Sequence, residues 1–136
     1  MSYGISSALQ QAVFGALQAD PVLAGLLGGA IYDALPSGTL PSLYVSLGPE
    51  TVTQMGDATG VGAEHRMVIT VVTEVPGFGQ AKEVAGAVCD VLDDAPLALS
   101  RGHLVALQFI KAAAAKIDNA TGRKIDLTFR ARVEDI

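Results

Sequence analysis

The fold is decided by the stretch Glu64-His65-Arg66-Met67-Val68-Ile69-Thr70-Val71-Val72-Thr73-Glu74-Val75. Met67, Ile69 and Val71 alternate onto one face, the two-residue period of a β-strand. Val68 and Val72 make the second face partly apolar, the pattern of a central strand covered on both sides. Pro76-Gly77-Phe78-Gly79 then forms a turn. From Gln80 to Leu92 the period changes, and Ala81, Val84, Ala85, Val88 and Leu92 recur at helical spacing. A strand that turns into an amphipathic helix implies a sheet with a helix packed on it.

Downstream, His103–Ala113 reads as a strand, with Leu104, Ala106 and Gln108 set against Val105, Leu107 and Phe109. Ala112–Ala115 favours helix by propensity alone, so the sequence leaves this strand's end open. Asp118–Gly122 is a turn. Ile125, Leu127, Phe129, Ala131 and Val133 then point inward, with Asp126, Thr128, Arg130 and Arg132 outward. The last two strands form a hairpin.

Upstream, Ser7 and Gln10 have capping-box spacing, and Ile5, Leu9, Ala12, Val13, Ala16 and Leu17 follow at helical spacing. Asp20 is placed to cap a second, short helix with Pro21 in its first position, and Gly28-Gly29 stops it. Ala30–Ala34 and Ser42–Leu47 are strand candidates, the second interrupted by Gly48-Pro49. Glu50–Gly62 is polar and glycine-rich, an extended hairpin arm or a mobile loop. The expected class is α+β: a mostly antiparallel sheet of four to five strands with two main helices packed on one face. Residues 1–136 form one domain in this reading, with the arm at about 50–63.

Composition narrows the function. Half of the 136 residues are hydrophobic and 17% are charged, which excludes intrinsic disorder. The longest apolar run, Pro21–Tyr32, is too short to span a bilayer, so no membrane role is expected. Residues 1–19 lack the basic segment of a signal peptide, and the default compartment is cytosolic. A lone cysteine, Cys89, excludes an internal disulfide framework and a cysteine zinc site. The net charge of −5 sits wholly in residues 1–65, which contain Asp20, Asp33, Glu50, Asp57 and Glu64 but no Lys or Arg. Such a chain is a poor candidate for tight duplex binding, which needs clustered bases. Arg123, Lys124, Arg130 and Arg132 cluster, but Asp126, Glu134 and Asp135 interleave them. The low charge has two readings: a surface partly covered by other subunits, or simply an Ala/Gly-rich composition.

Catalytic motifs are missing. There is no G-x-S-x-G elbow and no phosphate-loop pattern. After Gly77 and Gly79, Lys82 stands where a dinucleotide fingerprint needs glycine. His65 and His103 read as ordinary strand-end residues, and Glu64 and His65, being adjacent, point to opposite faces. Cys89 reads as a small buried hydrophobe. Asp90, Asp93 and Asp94 do not make a calcium loop, and an acidic pair at a helix C-terminus opposes the dipole. Tyr32, Tyr44 and Phe78 are core or interface anchors. No enzyme activity, cofactor or metal is expected.

Several segments together resemble the tail-completion family, the tail terminators of long-tailed phages, prophages and gene transfer agents. They are Ser7-Ala8-Leu9-Gln10-Gln11-Ala12, Leu17-Gln18-Ala19-Asp20-Pro21, Ile31-Tyr32-Asp33-Ala34-Leu35-Pro36, Pro41–Gly48, Gly62-Ala63-Glu64-His65-Arg66, Gly79–Ala85 and Asp94–Leu99. The resemblance spans nearly the whole chain. One departure is Val72-Thr73, where relatives often carry a packing tryptophan.

The resemblance implies a structural protein that forms a hexameric ring on the head-proximal end of a tail tube. The ring would stop tube growth and join the tube to the head-tail connector (neck) protein, with DNA passing through the lumen. A ring closes through heterologous contacts between copies. The compartment implied is a virion or gene transfer agent particle assembled in the bacterial cytoplasm. Candidate oligomer or tube contacts are Thr51, Thr53, Gln54, Met55, Asp57 and Thr59 on the arm, with Arg130 and Arg132 on the last strand. Asp57 and Glu64 are candidate lumen-facing acids, repelling phosphate. The alternative of another class is a small-ligand-binding or enzymatic α+β domain with a pocket near Tyr44 and His65. A non-viral interaction module is a third reading.

Overall fold

The computed structural model describes residues 3–55, 62–117 and 121–136. In chain order the elements are α1 (Ser6–Ala19), α2 (Pro21–Leu27), β1 (Ile31–Tyr32), β2 (Leu43–Met55), β3 (Gly62–Thr73), α3 (Gly79–Leu92), β4 (His103–Lys116) and β5 (Arg123–Glu134). The strands form one sheet in the order β1-β2-β3-β5-β4. The β1–β2 pair is parallel and the other three are antiparallel. The fold is therefore α+β with a mostly antiparallel sheet, as the sequence predicts.

All three helices lie on one face. α3 crosses β3, β5 and β4, and α1 and α2 pack beside it. Ile5 just before α1 and Leu9, Val13 and Leu17 on it join Val84, Val88 and Leu92 of α3 and Ile69, Leu127 and Phe129 of the sheet in one core, all buried. The Phe129 ring sits edge-on to Phe109 at 5.9 Å, a geometry that adds to its burial.

Helix ends explain the entry and exit of the chain. The Ser7–Gln10 capping box does not form. α1 starts at Ser6 without a side-chain cap, because the N-cap position falls on Ile5, which has no polar side chain, and Ser7 lies inside the helix. Asp20 does cap α2, accepting the Leu23 N–H at 3.0 Å, with Pro21 at the first position and Gly28 left-handed at its end. The acidic pair after α3 also has a structural use. The Asp93 carboxylate accepts the Phe109 N–H at 2.8 Å, and Asp94, at φ +58, donates its N–H to the Leu107 carbonyl. These bonds tie the helix end to edge strand β4 and occupy part of an edge otherwise open to pairing.

Three strand readings need correction. β2 does not stop at Gly48-Pro49. It runs 13 residues, and a register shift between Leu47 and Glu50 absorbs the pair as a bulge. Glycine suits the close approach there, since a Cβ on Gly48 would stand 3.0 Å from the Val68 carbonyl oxygen, a tight contact. β4 runs on through its alanines to Lys116, because Ala112 and Ala114 pair with Leu127 and Ile125. Tertiary pairing overrides their helix propensity. Its alternation also breaks at two register shifts, Leu104/Ala106 and Phe109/Lys111, so Leu104 shares a face with Leu107 and Phe109. Finally, β3 is central but covered by helices on one face only. Val68 and Val72 stay half-buried on the other.

A large residue at the centre of the one-sided core carries much of its stability. Phe129→Ala is expected to lower unfolding free energy by about 3–5 kcal/mol. Urea denaturation checks this, with the midpoint falling at unchanged slope.

Candidate functional site

The helix-free face of the sheet gathers most of the residues singled out from the sequence. Alternation and register place Thr51, Thr53 and Met55 of β2 and Glu64 and Arg66 of β3 on it. Arg130 and Arg132 of β5 join them, with Thr53, Glu64 and Arg132 in one row and Thr51, Arg66 and Arg130 in the next. Gln54 does not belong to this group. It pairs with Ala63 and lies on the opposite face. Asp57 and Thr59 lie outside the described residues. Of the stretch read as an arm, residues 50–55 and 62–63 are the last rows of the sheet itself.

This open face is unusually rich in bases. Arg66 stands directly opposite Arg130, and like charges so placed are destabilising. Two acids offset them in part. Arg66 Nε donates to Glu64 at 2.8 Å, and Lys124 lies 3.5 Å from Asp126. Arg130 donates to the Gln108 side-chain oxygen at 2.6 Å, and Thr70 donates to Asp126 at 2.8 Å. Glu64 is thus paired with one base and flanked by another, so it adds little free negative potential. Sequence reasoning missed Arg66 and Lys111 on this face; of the cluster it did name, Lys124 lies here with Arg130 and Arg132, while Arg123 lies on the covered side over Phe78. Arg66 was legible two residues from Glu64, whereas the shift at Phe109/Lys111 hid the side on which Lys111 lies.

The helix-covered side holds a polar cluster that the sequence did not announce. The register shift turns Glu50 inward, towards the start of α1. Its carboxylate accepts from the Ser6 hydroxyl at 2.8 Å, from the Tyr3 hydroxyl, and from His65 Nδ1 at 3.0 Å. An ionised carboxylate only accepts, so Nδ1 carries the hydrogen. His65 is fully buried inside β3, not the ordinary strand-end residue expected, and its Nε2 has no partner among the described residues. Burial by itself would raise the Glu50 pKa. The bonds from Tyr3, His65 and Ser6 and the charge of His65 outweigh burial, and the carboxyl sits below its usual range.

Among the described residues, Tyr44 and His65 are not brought together into one pocket. Tyr44 pairs with Val72 on the open face, while His65 pairs with Val52 far along the sheet on the covered face. Tyr44 instead stacks at a tilt on Tyr32, 6.0 Å away. The Phe78 ring lies beneath Lys82 and Arg123. Cys89 is half-buried against the core, and burial, then Asp93 and Asp90, push its thiol pKa up, away from a reactive thiolate. Among the described residues, no three His, Cys, Asp or Glu side chains converge as metal ligands. No helix among them is long and apolar enough to cross a membrane.

Comparison with known proteins gives two findings. The family model described as "Tail completion protein gp17" matches residues 11–134. A chain in the solved structure titled "Virion of native gene transfer agent (GTA) particle" is 54% identical and superposes with a TM-score of 0.93, covering 98% of this chain and 99% of that one. No curated protein matches the chain.

The Glu50 cluster should register in the pH dependence of stability. The native carboxyl pKa is depressed, so its contribution is complete above the ordinary value of about 4.3 and is lost as pH falls through the native value. Glu50→Gln is expected to cost about 1–3 kcal/mol at pH 7. Denaturation of both proteins from pH 7 to 3 should show the gap closing on acidification; a constant gap would contradict this role of the charge.

Proposed function

This chain belongs to the tail completion protein gp17 family, and from that membership we propose that it is the tail terminator of a phage-like or gene transfer agent particle. Six copies form a ring on the head-proximal end of the tail tube. The ring ends tube growth and joins the tube to the head-tail connector, and DNA passes through its lumen without specific contacts. The chain acts by assembly rather than catalysis, inside a particle built in the bacterial cytoplasm. The observation that carries this reading is the end-to-end likeness to a chain of a gene transfer agent virion.

Features of the fold support it. The sheet is helix-covered on one side only, and its open face mixes charged groups with the half-buried Val68 and Val72. We assign Thr51, Thr53, Met55, Arg130 and Arg132 to contacts with a neighbouring copy or the tube. Asp57 and Thr59 belong to the same assignment. Gln54, on the opposite face, would need a different partner. Glu64 is a weak candidate for repelling phosphate, because Arg66 neutralises it.

Deleting the gene in a producing cell is expected to leave full heads and free tails that do not join, and supplying the chain in trans restores joined particles. Electron micrographs of the lysate check this; normal particles from the deletion strain would contradict it. A finer variant replaces residues 56–61 with a two-residue Asn-Gly turn, which suits the paired Met55 and Gly62. It should fold, with an unchanged unfolding midpoint, yet fail to restore joining.

A further inference from the structure

The subunit is electrically two-sided. Its open sheet face carries Arg66, Lys111, Lys124, Arg130 and Arg132 against three acids, Glu64, Asp126 and Glu134. The opposite, helical side carries Asp20, Asp33, Glu83, Asp90, Asp93 and Asp94 against fewer bases: Lys82 on α3, Arg123 over Phe78 at its start, and Arg101 beside the start of α1. Glu83 and Asp90 are exposed on α3, as are Arg66 and Arg132 on the sheet. The core lies between the two sides, so within one subunit the surplus bases of the open face do not reach the surplus acids of the helical side.

We propose that the open sheet face is the docking surface for the acidic helical side of a second copy of this chain. The inference rests on the ring reading above and names the two faces that meet. The contact is head-to-tail: the basic sheet of each copy takes the helices of the next, which makes it heterologous and able to close into a ring. Three observations favour this occupant. The charges are complementary and borne by the same molecule, so every copy supplies both halves. The half-buried Val68 and Val72 and the exposed Val105 give the sheet face apolar area that solvent does not reward. Arg66 stands directly opposite Arg130, a like-charge pair that acids of a neighbouring copy would offset. Nucleic acid is the other polyanion that could cover such a face. Bases exposed to duplex would grip phosphates, and a lumen through which DNA slides is better served when those bases are spent on a neighbour's carboxylates.

The test is charge reversal on exposed positions, read by sedimentation velocity at low and high salt. Arg66→Glu/Arg132→Glu and Glu83→Lys/Asp90→Lys are each expected to weaken self-association about tenfold or more at low salt. Combining all four reversals in one chain restores it, since the attraction is then rebuilt with signs exchanged. Wild-type association should also weaken as salt rises. Circular dichroism of each variant excludes loss of fold, and Lys111→Glu/Lys124→Glu provides a second open-face pair. If both reversals leave association unchanged, the faces are assigned wrongly while the ring reading stands. If the open-face reversal instead abolishes retention on duplex DNA and leaves association intact, nucleic acid covers the face and the proposal fails. A wild-type chain that stays monomeric at low salt also overturns it, and the ring reading is then decided by the gene-deletion experiment alone.

Discussion

A sheet with helices on one side only must dispose of its other side, and this constraint shapes the whole molecule. The helices seal a core in which Phe129, Ile69 and Leu127 are buried. Hydrophobic burial of this kind dominates folding, and it is complete on one face alone. What remains is a broad surface of alternate side chains from β2 to β4, fixed in position by the strands that build the core. Any group on it is held rigidly and at a known spacing, which suits a surface made for assembly.

The sheet's second device is the bulge at Gly48-Pro49. It shifts the phase of β2 so that Glu50 turns in towards α1. A buried carboxylate is costly unless hydrogen-bonded, and Ser6, Tyr3 and His65 supply those bonds. One residue thereby ties the chain's beginning, the start of α1, to two strands of the sheet. Asp93 and Asp94 do the same at the other side, joining the end of α3 to edge strand β4. Both ties use acids that look unfavourable or unremarkable in the sequence.

Much of the architecture was legible because its signals are periodic. The alternation in β3 and β5, the helical spacing in α3, and the Asp20-Pro21 start of α2 each follow from local geometry. The failures share a physical cause: they depend on partners distant in sequence. Ala112–Ala115 is extended only because β5 lies beside it. The shifts in β2 and β4 change which side a residue takes, and no local pattern reveals a shift. Gln54 and Thr53 are neighbours on one strand and so take opposite faces, and His65 and Tyr44 lie on different strands and opposite faces. The open face itself was half legible. Arg130 and Arg132 stood out on an alternating strand, but Lys111 reaches the same surface only after a shift.

In the proposed ring the open sheet face of each copy is covered in the assembled particle. The decisive measurement is a reconstruction of joined particles by averaged electron microscopy, at a resolution that separates helices from strands. The expected result is six copies around the head-proximal end of the tube, each with its open sheet face against the helices of the next. Copies whose open sheet faces look out to solvent around the particle would contradict it.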